Sequence, residues 1–204
     1  HDPLPHKTNT LEFVRFSVFQ HHYYVSISNS QRKSIVPLNF VATIYHGIDI
    51  SKYEFDNDPE NYMIYFGRVI KDKGVDLAVQ AALETNTVLK IATSPDQTNR
   101  DKNYFQEKIE PFIDNDKIQL LGFFSDKEKS DFIKKAKVFI FPLQWDEPFG
   151  LTMIEAMACG TPVIAFNRGS VSELVVDGKT GFVVPPEEGI EGLKNALSKI
   201  DTIS

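Results

Sequence analysis

The sequence predicts an α/β domain with a doubly wound parallel sheet, preceded by part of a second domain. Beyond residue 61, short apolar runs alternate regularly with stretches of helical periodicity. The runs are almost continuously apolar, which is typical of parallel strands that helices cover on both faces. The predicted strands are residues 62–66, 88–92, 118–121, 138–141, 163–166 and 182–184.

The predicted helices follow most of these strands and give the regular alternation. Gly160 and Pro162 mark the end of one of them, because glycine is common just beyond a helix and proline cannot continue one. The predicted helices are residues 75–83, 104–113, 127–135, 151–159 and 190–200.

The first part of the chain has a different pattern. Leu11, Val14 and Val18 fall on one helical face, and residues 23–28 and 41–45 have the composition of strands. This is too little chain for a second full domain. We therefore divide the sequence into a partial domain at residues 1–50, a linker at residues 51–61 and a complete domain at residues 62–204.

Composition and charge exclude several classes of protein. The hydrophobic fraction of 42% and the charged fraction of 25% are ordinary for a soluble globular protein. A formal net charge of −6, with no stripe rich in lysine or arginine, argues against nucleic-acid binding. The single cysteine, Cys159, rules out an internal disulfide, and no apolar run approaches the roughly 20 residues of a membrane span. We expect a cytoplasmic location.

Two cations follow the first strand of the complete domain. Gly67 permits a tight turn there, and Arg68 and Lys73 project from the loop before the helix at residues 75–83. Ligands bind at the carboxyl ends of parallel strands, and an arginine and a lysine near a helix start suit a diphosphate. The spacing alone leaves open that both cations are solvated loop residues.

Two carboxylates follow the strand at residues 138–141. Glu147 lies in the loop, Gly150 allows the backbone to approach a ligand, and Glu155 lies one turn into the next helix. A carboxylate accepts two hydrogen bonds, which suits a pair of neighbouring sugar hydroxyls. The pattern alone favours a helix-dipole partner and a solvated helical glutamate.

Residues 147–165, with the sequence EPFGLTMIEAMACGTPVIA, closely resemble the signature of the family 4 retaining glycosyltransferases of GT-B fold. Residues 66–68 and 73–74 are similar to the phosphate loop of that family, and residues 167–185 to its closing segment. The resemblance covers about residues 63–185 and implies a Rossmann-like half-domain that binds the sugar donor.

The resemblance assigns roles to the residues of both loops. Arg68 and Lys73 would stabilise the diphosphate leaving group, and Glu147 would bind hydroxyls of the donor hexose; these three are the predicted catalytic residues. Glu155 would hold the ribose hydroxyls. The predicted donor-binding residues are Gly67, Phe124, Asp126, Lys129, Phe149, Gly150, Leu151, Thr152 and Glu155.

The backbone also contributes in this family. The resemblance implies that the N–H groups of residues 149–151 lie near sugar and phosphate. It further implies that the main chain around Phe124 meets the base, with Asp126 or Lys129 assisting.

The implied activity is transfer of a hexose, with retention, from a UDP- or GDP-linked sugar to an acceptor that the sequence does not identify. The family uses front-face attack assisted by the leaving phosphate, and neither a metal nor another cofactor. His21, His22 and His46 lack the spacing of metal ligands. The expected partners are the nucleotide sugar and a glycan, lipid or small-molecule acceptor, with peripheral membrane contact through the acceptor domain.

The first residues also resemble this family. Residues 26–32 are similar to the last strand and helix of its acceptor domain, and residues 46–49 to its interdomain turn. Residues 1–3 are similar to a loop that carries a functional histidine, so His1 is either that histidine or foreign to the protein. On this interpretation most of the acceptor domain is absent from the chain.

Two other functions stay open. The chain is alternatively a nucleotide-sugar-binding module without transfer activity. A nucleotide-sugar epimerase of GT-B fold is a weaker alternative, which the segment from Glu147 to Glu155 disfavours. Trp145 is either a wall of the pocket or a lid, and Glu173 either reaches the cleft or caps the short helix after Gly169.

Overall fold

A parallel sheet of six strands forms the centre of the molecule in a computed structural model of the chain. The structure describes residues 4, 8, 10–93, 102–122 and 124–203, and only the backbone of residues 126 and 127. His1 and the side chain of Asp126 therefore lie outside the described residues.

The elements alternate as the sequence predicts, and the α/β class with a doubly wound parallel sheet is confirmed. The central strands are β3 (Glu60–Phe66), β4 (Val88–Ala92), β5 (Ile118–Leu121), β6 (Ala136–Phe141), β7 (Val163–Phe166) and β8 (Gly181–Val184). The helices that accompany them are α2 (Val75–Glu84), α3 (Lys102–Lys108), α4 (Asp126–Lys134), α5 (Leu151–Ala158), α6 (Val171–Leu174) and α7 (Gly189–Ser198).

The strand order creates one switch point in the sheet. The order is β5-β4-β3-β6-β7-β8, and each neighbouring pair is parallel. The chain therefore builds outward from β3 to one side and from β6 to the other. The loops after β3 and β6 leave a crevice between them, where open α/β sheets bind their ligands.

Burial along the central strands explains their continuous apolar pattern. In β3, three consecutive side chains, Met63, Ile64 and Tyr65, are fully buried, and all of β7 is buried. Successive side chains point to opposite faces of a sheet, so both faces must be covered. Helices α2 and α7 pack against each other beside this sheet.

Some element bounds differ from the predictions for local reasons. β3 begins at Glu60 because the Glu60 N–H donates to Lys135 O at 2.8 Å, although polar residues there hide the strand pattern. The predicted helix at residues 104–113 ends at Lys108 and continues as a 3-10 turn, Glu110–Phe112. Pro111 explains the break, because proline disfavours a helical conformation in the residue before it.

The first part of the chain forms a small unit of its own. It comprises helix α1 (Leu11–Val18) and a two-stranded parallel sheet of β1 (Tyr23–Ser26) and β2 (Asn39–Thr43). Thr10 caps α1 by accepting the Phe13 N–H at 3.1 Å. The predicted apolar face of α1 is exposed to solvent. The division of the chain at residues 50 and 61 stays a prediction.

Gly74 joins the loop after β3 to helix α2 at a point where two backbones nearly touch. Its φ is +67°, and a Cβ atom at this position would lie 1.9 Å from the carbonyl oxygen of Pro142, which follows β6. Gly178 has a similar φ of +71° but nothing within 4 Å of a Cβ atom. The two glycines therefore share a left-handed backbone conformation and differ in the space around them.

We predict that Gly74→Ala lowers the free energy of unfolding by about 3 kcal/mol or more, because it adds a backbone clash to the left-handed strain. Gly178→Ala is the matched control, and we expect a loss of about 1 kcal/mol from the strain alone. Denaturant unfolding of both variants measures the difference. Equal losses would show that the close approach to Pro142 does not affect the free energy of unfolding.

Candidate functional site

A cavity of about 360 Å³ opens at the switch point of the sheet. Phe66 and Phe141, the last residues of β3 and β6, lie at its base. Eight of the residues singled out in the sequence line it: Gly67, Arg68, Lys73, Glu147, Phe149, Gly150, Leu151 and Thr152. The structure thus brings the two predicted loops together around one space.

A buried tyrosine holds the loop after β3 in place. The Tyr65 hydroxyl donates to the backbone oxygen of Arg68 at 2.8 Å. Burial raises the pKa of Tyr65 well above its usual value, so the hydroxyl keeps its proton and remains a donor. A 3-10 turn, Lys71–Lys73, then brings Lys73 back toward the cleft.

The Lys73 ammonium forms an ion pair with the Glu147 carboxylate across the cavity. The side chains are only 11% and 14% exposed. The ammonium also lies 4.7 Å from the ring centre of Trp145 and 5.3 Å from that of Phe141. Burial lowers the pKa of Lys73, and the Glu147 charge counteracts that shift. The two predicted catalytic residues therefore depend on each other's charge.

The loop after β6 turns into helix α5 at Gly150. This glycine has a φ of +87° and, as the N-cap residue, gives α5 no side-chain cap. The first N–H groups of a helix lack partners within the helix, so the uncapped start of α5 presents donors toward the cavity. Earlier in the loop, the Trp145 indole N–H donates to Glu147 Oε2 at 3.1 Å.

The segment after β7 holds this loop from behind. The Ser170 hydroxyl donates to Phe149 O at 2.6 Å, and the Ser170 N–H donates to Glu147 O at 2.9 Å. A Cβ atom on Gly169 would lie 2.2 Å from Glu147 O. The sequence analysis missed Ser170, although its place after a strand of the sheet and beside a glycine pointed to such a role.

A second ion pair lies beyond the end of β3. Lys129 Nζ is 2.5 Å from Glu155 Oε2, and the Tyr53 hydroxyl donates to Glu155 Oε1 at 3.0 Å. Oε2 is buried without a directed hydrogen bond among the described residues, so its contact with Lys129 is an ion pair rather than a well-aligned hydrogen bond. Lys129 Nζ also lies 4.6 Å from the ring centre of Phe66.

Three predicted residues therefore lie outside the wall of the cavity itself. Glu155 and Lys129 face each other beside it, and the Phe124 ring stacks on Phe132 with ring centres 4.9 Å apart. Asp126 is described only in its backbone, as the first residue of α4. Its assistance to the base stays a prediction.

The family model named "Glycosyl transferases group 1" matches residues 49–201 of the chain. The chain belongs to this family. Among curated relatives, lipopolysaccharide 1,2-N-acetylglucosaminetransferase of Salmonella typhimurium is 28% identical in an alignment of 203 positions that covers 94% of this chain and 53% of that protein.

Solved structures share the fold. Sucrose-phosphate synthase from Thermosynechococcus elongatus superposes with a TM-score of 0.80 at 22% identity, covering 93% of this chain and 52% of that one. HepE from Anabaena, in complex with UDP-glucose, superposes with a TM-score of 0.74 at 21% identity, covering 98% of this chain and 61% of that one. The chain thus spans about half the length of these relatives.

The spacing Asp-x-Asp occurs twice in the sequence of this glycosyl transferases group 1 chain. Both pairs belong to turns: Asp56 accepts the Asp58 N–H at 3.0 Å, and Asp114 accepts the Asp116 N–H at 2.9 Å. Asp114 precedes β5 and so lies at the end of the sheet opposite the cleft. Among the described residues, no group of three or more histidines, cysteines or acidic residues is arranged to hold a metal ion.

No helix in the described part of the chain is long and apolar enough to cross a membrane. The single cysteine, Cys159, is buried at the end of α5, and burial raises the pKa of its thiol. A thiol in that state is a poor nucleophile, so Cys159 packs in the core.

The first part of the chain forms one wall of the cavity. Ile27 and His46 line it, and the His46 ring packs edge-on against Phe149 with ring centres 5.2 Å apart. His46 occupies the turn at residues 46–49, so this turn places an aromatic ring against the loop after β6.

Glu173 connects this wall to the rest of the molecule. Its carboxylate accepts the N–H groups of Asn29 and Ser30 at 2.8 and 2.6 Å and the Tyr45 hydroxyl at 2.8 Å. The hydrogen bond to this carboxylate raises the pKa of Tyr45. Glu173 thus binds the first part of the chain. The sequence alone had left the role of Glu173 undecided.

We predict that Glu173→Gln loosens this connection, because an amide has one acceptor oxygen where the carboxylate has two. Hydrogen exchange at the Asn29 and Ser30 amides should become about tenfold faster, the effect of losing one charge-assisted hydrogen bond. The Ile44 amide, bonded to Ser26 O within the small sheet, serves as internal reference. Glu187→Gln is the matched control at an exposed carboxylate. Unchanged exchange at Asn29 and Ser30 would contradict the assignment.

Proposed function

We propose that this chain binds a nucleotide sugar in the cleft at the switch point and provides the donor site of a glycosyltransferase. The buried pair of Lys73 and Glu147 beside Arg68 carries the proposal, because it places two cations and one carboxylate on the two loops of the crevice. Membership of the glycosyl transferases group 1 family and the UDP-glucose bound to HepE support it.

The cations suit the diphosphate. The Lys73 ammonium has three donors, so it can keep Glu147 as a partner while it binds a phosphate oxygen. Arg68 lies on the same loop and lines the same cavity, where its guanidinium can bind phosphate with two parallel hydrogen bonds. As the bond between the sugar and the diphosphate breaks, these cations stabilise the charge that builds on the leaving group.

The carboxylates suit the hydroxyls of the sugar and the ribose. Both described contacts to Glu147, from Lys73 and Trp145, fall on Oε2, and the described residues provide no donor to Oε1. Oε1 of Glu147 is therefore available to a hexose hydroxyl. We assign the ribose hydroxyls to Glu155, whose carboxylate is similarly anchored beside the cavity.

The finer reaction is also part of the proposal. The donor is a UDP- or GDP-linked hexose, and transfer retains the configuration of the anomeric carbon without a metal. The acceptor oxygen attacks from the face that the diphosphate leaves, and its proton passes to the departing phosphate oxygen. Because the chain spans about half the length of its relatives, transfer and the choice of acceptor are proposed for the whole protein.

We predict that Lys73→Ala weakens UDP or GDP binding by about 10- to 100-fold, the effect of losing a charge-assisted hydrogen bond to phosphate. Isothermal titration calorimetry measures it. Lys71→Ala, an exposed lysine of the same turn, is the matched control and should change affinity by no more than about twofold. Binding that is absent from the wild-type chain, or equal in wild type and Lys73→Ala, would refute the phosphate assignment.

A second function, binding of a nucleotide sugar without transfer, is supported by the same cleft, because the cavity and its two ion pairs require no acceptor. The two functions differ in the fate of the donor. A module returns the bound nucleotide sugar intact, whereas a transferase passes the sugar to an acceptor, or slowly to water, and releases the nucleoside diphosphate. Mass spectrometry of a UDP- or GDP-hexose incubated with the whole protein distinguishes them, with Lys73→Ala as the control for contaminating activity.

A further inference from the structure

Two aromatic side chains contact the two carboxylates of the proposed donor site. Trp145 donates its indole N–H to Glu147 Oε2 at 3.1 Å, and Tyr53 donates its hydroxyl to Glu155 Oε1 at 3.0 Å. Each carboxylate also pairs with a lysine, Lys73 in the first case and Lys129 in the second. The same set of one ammonium and one neutral donor therefore occurs twice.

The lysines themselves lie against aromatic faces. Lys73 Nζ is 4.7 Å from the ring centre of Trp145, so this indole contacts both members of the first ion pair. Lys129 Nζ is 4.6 Å from the ring centre of Phe66 in the second. A ring face attracts a cation but gives it no fixed direction, so the ammonium stays free to turn toward another anion.

A donor diphosphate is such an anion. When Lys73 turns toward phosphate, its hold on Glu147 weakens, and a carboxylate held by the lysine alone would lose its orientation. A neutral N–H or O–H donor is not drawn to phosphate in this way. Trp145 and Tyr53 are therefore suited to keep each carboxylate in place while the lysines respond to the ligand.

The atoms they contact fit this task. Trp145 binds Glu147 on Oε2, the same oxygen that pairs with Lys73, so Oε1 is not used by either contact. Tyr53 binds Glu155 on one oxygen and comes from a part of the chain 102 residues earlier in the sequence. Both side chains are partly buried against the core, which limits their own movement.

We propose that Trp145 and Tyr53 are positioning residues of the donor site, Trp145 for the carboxylate that binds the sugar and Tyr53 for the one that binds the ribose. This inference rests on the proposed function. It has one consequence that a merely structural role lacks: the two residues affect different parts of the ligand. A nucleoside diphosphate without sugar should depend on Tyr53 and not on Trp145.

The test is isothermal titration calorimetry of the chain with UDP and UDP-glucose, and with GDP and GDP-mannose. Trp145→Phe keeps the ring and removes the N–H; we expect it to weaken binding of the nucleotide sugar by about fivefold and that of the nucleoside diphosphate by less than about twofold. Tyr53→Phe should weaken both by the same factor, about fivefold. Tyr62→Phe, which removes a hydroxyl that donates to Phe132 O in the core, is the matched control and should leave both affinities unchanged.

The outcomes separate the inference from the proposed function. If the wild-type chain binds none of the four probes, or if Lys73→Ala leaves binding unchanged, the proposed function fails and the inference fails with it. If binding depends on Lys73 but Trp145→Phe weakens both ligands equally, or neither, the inference alone is overturned. Thermal melting of each variant shows whether an equal loss comes from a disturbed fold.

Discussion

The cleft depends on one buried ion pair across the switch point of the sheet. Lys73 follows β3 and Glu147 follows β6. These neighbouring strands form the switch point, where the order in which the chain adds strands to the sheet reverses. Removing one partner of a buried pair leaves an uncompensated charge, which typically costs about 3–5 kcal/mol. Each loop is therefore placed by the charge on the other, and the shape of the cavity follows from that contact.

The backbone is arranged to allow this contact. Gly74 admits the carbonyl oxygen of Pro142 where no other residue fits without displacement, and the Gln144 N–H donates to Asp72 O at 2.8 Å. The two loops are thus joined through their main chains as well as their side chains. The glycine next to Lys73 is therefore required by the packing of the two loops.

The segment after β7 continues the same support to the first part of the chain. Ser170 binds the backbone of the loop after β6, and Glu173, three residues later, binds Asn29 and Ser30. A single short stretch thus forms hydrogen bonds both to the loop that carries Glu147 and to the part of the chain that carries His46. Residues 167–185, which resemble a segment of the family, therefore have a structural role: they connect the loop after β6 to the first part of the chain.

The sequence predicts the sheet well because each central strand is buried on both faces, and burial leaves a local mark in the run of apolar residues. It also places Lys73 and Glu147 near each other, since both follow strands that end at the same edge. It does not predict the pairing of Lys129 with Glu155, or that Tyr53 binds Glu155 from 102 residues away. Those contacts depend on side-chain directions in three dimensions, which no spacing along the chain encodes.

The two ion pairs also explain how a site with two carboxylates can bind the diphosphate that we propose as its ligand. Without the lysines, Glu147 and Glu155 would repel the ligand that the site is proposed to bind. In the proposed complex, Lys73 is shared between Glu147 and a phosphate while Lys129 stays with Glu155, so neither carboxylate loses its partner as the ligand enters. The carboxylates must then keep their orientation while part of their pairing shifts away. Neutral donors such as the Trp145 indole and the Tyr53 hydroxyl meet that requirement, because they fix an oxygen atom without neutralising its charge.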